Sequence, residues 1–171
     1  MKNANLRQQS LLWFPFVFSA LFGTFLDLVS KSIIFKKLST FESGRHDLIT
    51  GILGFKLTYN TSIIWGLFGG KGPFIVYIVA VLLIITIWLL IKEPHWLISL
   101  GLGLILAGTL GNLYDRLTCA AVRDFIDFYL INWPIFNLAD IWITIGVILI
   151  VMRMLFNRQR ASKTTGILPI L

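Results

Sequence analysis

Charged residues divide this chain into apolar blocks, and the block lengths predict its elements. Residues 8–26, 72–91 and 94–114 contain no Asp, Glu, Lys or Arg, over 19, 20 and 21 residues. At 1.5 Å per helical residue, each run crosses a hydrocarbon core of roughly 30 Å. A fourth run, 141–152, has 12 uncharged residues. It reaches a spanning length only when extended to 137–156, which places Asp140 near one end and Arg153 near the other. An arginine can reach out of the apolar layer along its own stem, but a short aspartate there needs a local reason. The pattern therefore gives four transmembrane helices, at about 10–31, 73–91, 95–114 and 137–156. The first follows Lys2 and Arg7 as a signal peptide would, but it lacks a small-x-small cleavage pattern and reads as a retained helix.

Between the spans, residues 36–71 and 115–136 form two segments on one side of the membrane. Phe55-Lys56-Leu57-Thr58-Tyr59-Asn60 alternates apolar and polar, as a strand with one apolar face does. Gly69-Gly70-Lys71-Gly72-Pro73 reads as a turn-rich loop. The fold class is thus a mostly α membrane protein, a single domain of four transmembrane helices with a small extracytoplasmic β-sheet. The tail over 158–171 reads as disordered. In the third span Ser99, Gly103, Ala107 and Gly111 recur every four residues, a stripe that admits another helix at close range.

Composition agrees with this division. At 57% hydrophobic and 13% charged, a 171-residue soluble domain would have too little interior to hide its apolar surface. The single cysteine, Cys119, excludes a disulfide scaffold. The net charge of +7 is spread between apolar blocks rather than gathered into a patch, so nucleic acid is not an expected partner. With four crossings, Lys and Arg number 7 on the side of the termini and 8 on the other. The terminal-side segments are shorter, however, and Glu93 is their only acid. That density of unopposed cations puts both termini in the cytoplasm.

Seven of the eight acids then fall on or beside the extracytoplasmic half. Asp124, in Val122-Arg123-Asp124-Phe125-Ile126, and Asp140, in Phe136-Asn137-Leu138-Ala139-Asp140, both stand in apolar context at the membrane boundary. Brought together, two such carboxyls share one proton. One activates water while the other protonates a leaving amine, as in aspartic proteases. Plainer readings stand beside this. Asn137 and Asp140 have the spacing of a capping box, which is compatible with chemistry because a helix N-terminus favours negative charge. Asp124 is equally read as a loop acid paired with Arg123 or Arg116, and Asp127 competes for its role. Asp27 and Lys31, four apart at a helix end, read as a structural ion pair. Asp115-Arg116 reads as a helix end with a salt bridge. His46 and His95 fall on opposite sides of the membrane, which argues against a histidine metal site.

In order, Asp27-Leu28-Val29-Ser30-Lys31, Tyr59-Asn60-Thr61, Gly111-Asn112-Leu113-Tyr114-Asp115-Arg116, Val122-Arg123-Asp124-Phe125-Ile126 and Phe136-Asn137-Leu138-Ala139-Asp140 resemble the blocks of lipoprotein signal peptidases (signal peptidase II). These are bacterial intramembrane aspartic proteases. The resemblance implies cleavage of the signal peptide of prolipoproteins just before a diacylglyceryl-modified cysteine. It implies Asp124 and Asp140 as the catalytic pair, no metal or organic cofactor, and an active site near the extracytoplasmic face of the bacterial inner membrane. Asn60, Asn112, Arg116 and Asn137 would line or support the site, with Asp27 and Lys31 in its surroundings. The expected partners are lipidated prolipoproteins and membrane lipids, and the expected functional unit is a monomer. The sequence departs from the family pattern at Leu28 (usually Gln), Ser62-Ile63-Ile64 (usually Gly-Ala-Ala), Arg123 (commonly Val) and Ile141 (usually Ser).

Two other functions fit the composition: a lipopeptide-binding membrane protein without turnover, and a small transporter. A transporter places its acids near mid-membrane on several helices, whereas these cluster at one interface. The orientation is checked by reporter fusions: those joined after Arg158 should report cytoplasm, and those near Arg45 the outside. The opposite pair of results would invert the topology.

Overall fold

A computed structural model describes residues 2–61, 81, 84–86, 88, 89, 92 and 95–165. Helix α1 runs Lys2–Leu38, α2 Trp96–Cys119 and α3 Leu138–Thr165. All three contain stretches long and apolar enough to cross a membrane, at Trp13–Leu38, Trp96–Cys119 and Leu138–Asn157. Strands β1 (Arg45–Ile49), β2 (Leu53–Asn60) and β3 (Val122–Asp127) form one antiparallel sheet in the order β1-β2-β3. The expected second span, 73–91, lies mostly outside the described residues, although those described within it are helical. The expected loop at Gly69–Pro73 lies outside them altogether.

Each helix is longer than its uncharged run. Helix α2 continues past Tyr114 to Cys119 because Asp115 and Arg116 find partners inside the protein, so their charges do not end it. Asp115-Arg116 is therefore not the helix end that the sequence suggests. The end comes at Ala120, whose left-handed backbone (φ 56°) turns the chain into β3. Likewise Asp27 and Lys31 lie inside α1, which continues through Ser30–Leu38. The tail expected to be disordered from 158 is helical through Thr165, where Arg158, Gln159, Arg160 and Ala161 are good helix formers, and the rest of it lies outside the described residues.

Small residues on α2 set how the helices meet. The predicted stripe faces α1, where a side chain at Gly103 would collide with Ser19 and the Phe16 carbonyl, and one at Gly111 with the Asp27 carboxylate. Ala107 packs against Gly23 between them. A second face, formed by Gly101 and Gly108, meets α3 at Gly146 and Ala139. Helix α2 thus sits between the other two, parallel to α1 and antiparallel to α3. Because α1 and α2 are parallel, the chain returns from the sheet end of the bundle to the opposite end between Thr61 and His95, as four crossings require.

The sheet sits against the C-terminal ends of α1 and α2. Phe35 of α1 packs edge-on against Tyr59, and Phe55 against Phe125. The β1–β2 hairpin turns through Gly51 (φ 84°), with Ile52 N–H donating to the Ile49 carbonyl at 3.0 Å. The strand expected at Phe55–Asn60 is β2. After β3, a 3-10 turn at Tyr129–Ile131 leads back to Phe136, which exchanges backbone hydrogen bonds with Ile126 at 2.8 and 3.1 Å. This two-residue clip lays the start of α3 beside β3.

The small-residue contacts predict a stability contrast. Gly103→Val should lower the unfolding temperature in detergent, at a cost of about 1–3 kcal/mol. Ile148→Ala, on an exposed face of α3, should stay within about 0.5 kcal/mol of the parent.

Candidate active site

The eight residues named from sequence converge where α1, α2, β2, β3 and α3 meet. Asn137 is the N-cap of α3 and makes the predicted capping box: its Oδ1 accepts from Asp140 N–H at 3.1 Å, and its own N–H donates to Asp140 Oδ2 at 3.1 Å. The same side chain donates through Nδ2 to Asp124 Oδ1 at 2.7 Å. One fully buried residue therefore holds both carboxyls. Asp124 and Asp140 have fifteen residues between them, and the Phe136–Ile126 clip folds that stretch back on itself.

Each carboxyl has a second amide. Asn60 Nδ2, at the end of β2, donates to Asp124 Oδ2 at 2.9 Å, and Asn112 Nδ2 of α2 donates to Asp140 Oδ1 at 3.0 Å. Asn112 Oδ1 accepts from Asn137 Nδ2 and from Lys31 Nζ, each at 3.0 Å. Arg116 donates to the Asn112 carbonyl at 3.3 Å, and its charge acts on Asp140 and Asp124. Burial pushes the Asp124 carboxyl above the ordinary carboxylate range. The Asn60 and Asn137 donors oppose that rise, while the charge of Asp140 adds to it.

Behind the amides lies a cluster of buried charge. Lys31 Nζ is 2.7 Å from Asp27 Oδ2 and 3.2 Å from Asp115 Oδ2, and none of the three side chains reaches solvent. The expected Asp27–Lys31 pair is present. Asp27 also reaches a third helix, because its Oδ1 accepts from Ala139 N–H at 2.9 Å in the first turn of α3. Asp115 also takes the Arg123 guanidinium, at 2.7 and 3.0 Å. Arg123 is thus spent on Asp115, and the reading of Asp124 as its ion-pair partner is not what the fold adopts. Asp127 lies at the far end of β3, 3.3 Å from Arg45 and away from the amides. Sequence reasoning missed Asp115 as a cluster member. Its signal was the position three residues after Asn112, on the same helical face.

The arrangement places two carboxyls, one with its proton affinity raised by burial, beside three amides and at one edge of the bundle. That is the equipment for moving a proton to and from a peptide bond.

Comparison with known proteins gives one family. The family model for signal peptidase (SPase) II matches residues 19–156. The lipoprotein signal peptidase of Desulforapulum autotrophicum is 34% identical over 142 residues, covering 78% of this chain and 86% of that protein. The lipoprotein signal peptidase of Nostoc punctiforme is 33% identical, over 88% of this chain and 94% of its own. Two solved structures described as bacterial membrane enzymes superpose with TM-scores of 0.71 and 0.69, at 30% and 33% identity. They cover 91% and 81% of this chain, and 93% and 91% of their own.

The buried cluster predicts non-additive substitutions. Lys31→Met should destabilise the fold by about 3–5 kcal/mol, since it leaves the buried Asp27 carboxylate without its cation, and Asp27→Asn should cost less, because Asp115 still holds Lys31. The double variant should cost clearly less than the two losses summed, measured by thermal or denaturant unfolding in detergent. A simple sum would mean that the two charges do not support each other.

Proposed function

The chain belongs to the signal peptidase II family and removes signal peptides from prolipoproteins, and we propose that it does so as an aspartic endopeptidase with Asp124 and Asp140 as its catalytic pair. The observation carrying this reading is Asn137, which hydrogen-bonds both carboxyls at once. The substrate is a prolipoprotein whose cysteine already bears a diacylglyceryl group, cut just before that cysteine. Both termini lie in the cytoplasm, the site faces the other side of the inner membrane, and one chain suffices. A transporter is disfavoured because the acids gather at the sheet end of the bundle, not at mid-membrane.

Asp140 works as the base. It sits in the first turn of α3, where its carboxyl accepts from Asn112 Nδ2 at 3.0 Å and from the Asn137 backbone N–H at 3.1 Å. It takes a proton from water as the water oxygen bonds to the scissile carbonyl carbon. Asp124, whose carboxyl keeps its proton into a higher pH range, gives that proton to the leaving nitrogen as the C–N bond breaks. The products are a carboxyl-terminated signal peptide and a lipoprotein with a free amino group. The pair ends with its proton on Asp140, and exchange with solvent resets it. Asn60 and Asn137 aim Asp124, Asn112 and the Asn137 backbone aim Asp140, and Arg116 offsets the negative charge that builds during attack.

Asp124→Asn and Asp140→Asn should each lower turnover of a lipidated prolipopeptide by roughly 10²–10⁴-fold while leaving the protein folded and able to bind substrate. Removing both should be no worse than removing either, because they act as one unit. Asp127→Asn should keep most activity. Robust cleavage by either of the first two variants, in detergent with authentic lipidated substrate, would end this assignment.

The shift of Asp124 also fixes a pH dependence. Its proton is required and is held above the usual carboxylate range, so activity should persist as pH rises through that range. It should fall only once the raised value is passed. A kcat/KM profile that already declines across the ordinary carboxylate range would contradict the role given to Asp124.

A further inference from the structure

We propose that Arg123 is a positioning residue for the aspartate pair: it neutralises the buried cluster behind the site and clamps β3 so that Asp124 faces Asn137. This rests on the reading of Asp124 and Asp140 as the catalytic pair.

Charge balance comes first. Asp27, Lys31 and Asp115 have no solvent exposure, and together they carry one excess negative charge. In a low-dielectric interior such an excess is costly and its potential reaches neighbouring carboxyls. Arg123, with only 13% of its side chain exposed, brings the sum to zero.

Geometry comes second. Arg123 grips Asp115 three times: Nε and Nη2 on Oδ1 at 3.0 and 2.7 Å, and the backbone N–H on Oδ2 at 3.0 Å. Such a fork with a backbone bond fixes both the place and the direction of the strand. The grip fastens the start of β3 to the last turns of α2, across the left-handed turn at Ala120. Arg123 pairs in register with Tyr59, and Asp124 with Thr58. Successive side chains of a strand alternate faces, so holding Arg123 on Asp115 sets Asp124 on the other face of β3, where Asn137 Nδ2 meets its Oδ1 at 2.7 Å.

The third link runs through Lys31. Its ammonium is shared among Asp27, Asp115 and Asn112, and Asn112 in turn holds Asp140. With Arg123 occupying Asp115 Oδ1, Lys31 remains available to Asp27 and Asn112. Without Arg123, one ammonium must serve two carboxylates, and the excess negative charge faces the pair.

The groups that bear on this pH dependence come from every neighbouring element. They are Asp27 and Lys31 of α1, Tyr59 of β2, Asp115, Arg116 and Cys119 of α2, and Asp140 of α3. Arg123 and Asp115 can both be replaced by neutral amides that still hydrogen-bond, which separates the effect of charge from that of contact.

The test measures kcat, KM and the pH profile of cleavage of a lipidated prolipopeptide in detergent, with unfolding temperatures alongside. Arg123→Gln and Arg123→Val should lower kcat by on the order of tenfold with KM within about twofold. Both should move the alkaline limb of the profile upward by about half a unit or more, because excess negative charge strengthens the hold of Asp124 on its proton. Arg123→Lys keeps the charge and loses the fork, so its limb should stay at the parent position while kcat falls. The double variant Asp115→Asn/Arg123→Gln removes one charge of each sign and should return the limb to the parent position.

A parent-like kcat and limb in Arg123→Gln would overturn the proposal. So would a double variant whose limb stays displaced, or activity losses in all variants that merely track lower stability. Should Arg123→Val fail to fold, the Gln, Lys and double variants decide the matter. Failure of the catalytic assignment looks different: Asp124→Asn would then cleave substrate, whatever Arg123 variants do.

Discussion

Burying unlike charges beside a lipid-facing bundle is the constraint from which the rest of this structure follows. Asp27, Lys31 and Asp115 reach no water, so each must be satisfied by other parts of the chain. Their demands bring α1 against α2 and draw Arg123 of β3 onto Asp115. The second oxygen of Asp27 takes the Ala139 N–H, which seats the first turn of α3. Four elements are thus tied by one set of ionic hydrogen bonds, and α3 begins where the cluster requires it.

The carboxyl pair is built on top of that foundation. Asn137 joins the two levels: it caps α3, accepts from and donates to Asp140, and reaches across to Asp124. Asn112 joins them a second time, with Lys31 on one side and Asp140 on the other. Amides suit these positions because each presents a donor and an acceptor and carries no charge of its own. They transmit the orientation set by the ion pairs without adding charge beside the two carboxyls.

Close helix approach makes the cluster possible. Helix α2 offers small residues on two faces, so both α1 and α3 come near enough for short side chains to bond across the interface. The absence of a side chain at Gly111 leaves the space that the Asp27 carboxylate fills. Packing without a hydrophobic drive between helices depends on such fits, and here the fit and the electrostatics use the same positions.

Hydropathy by itself determined that the chain spans a membrane and roughly where, because an apolar run of spanning length has few other uses. The Asn137–Asp140 spacing disclosed the capping box, and the Asp27–Lys31 spacing disclosed the ion pair, since both depend only on neighbours along a helix. The alternation at Phe55–Asn60 disclosed β2. Motif blocks singled out Asp124 and Asp140, but not what holds them together. Helix ends, the partners of Asp115 and Arg123, and the second small-residue face of α2 were decided by tertiary structure. Charges at those positions are satisfied by residues distant in sequence, and a one-dimensional pattern carries no record of distance in space. Asp124 and Asp140 share Asn137 by way of the Phe136–Ile126 clip, contacts across the fold that the spacing of residues along the chain does not record.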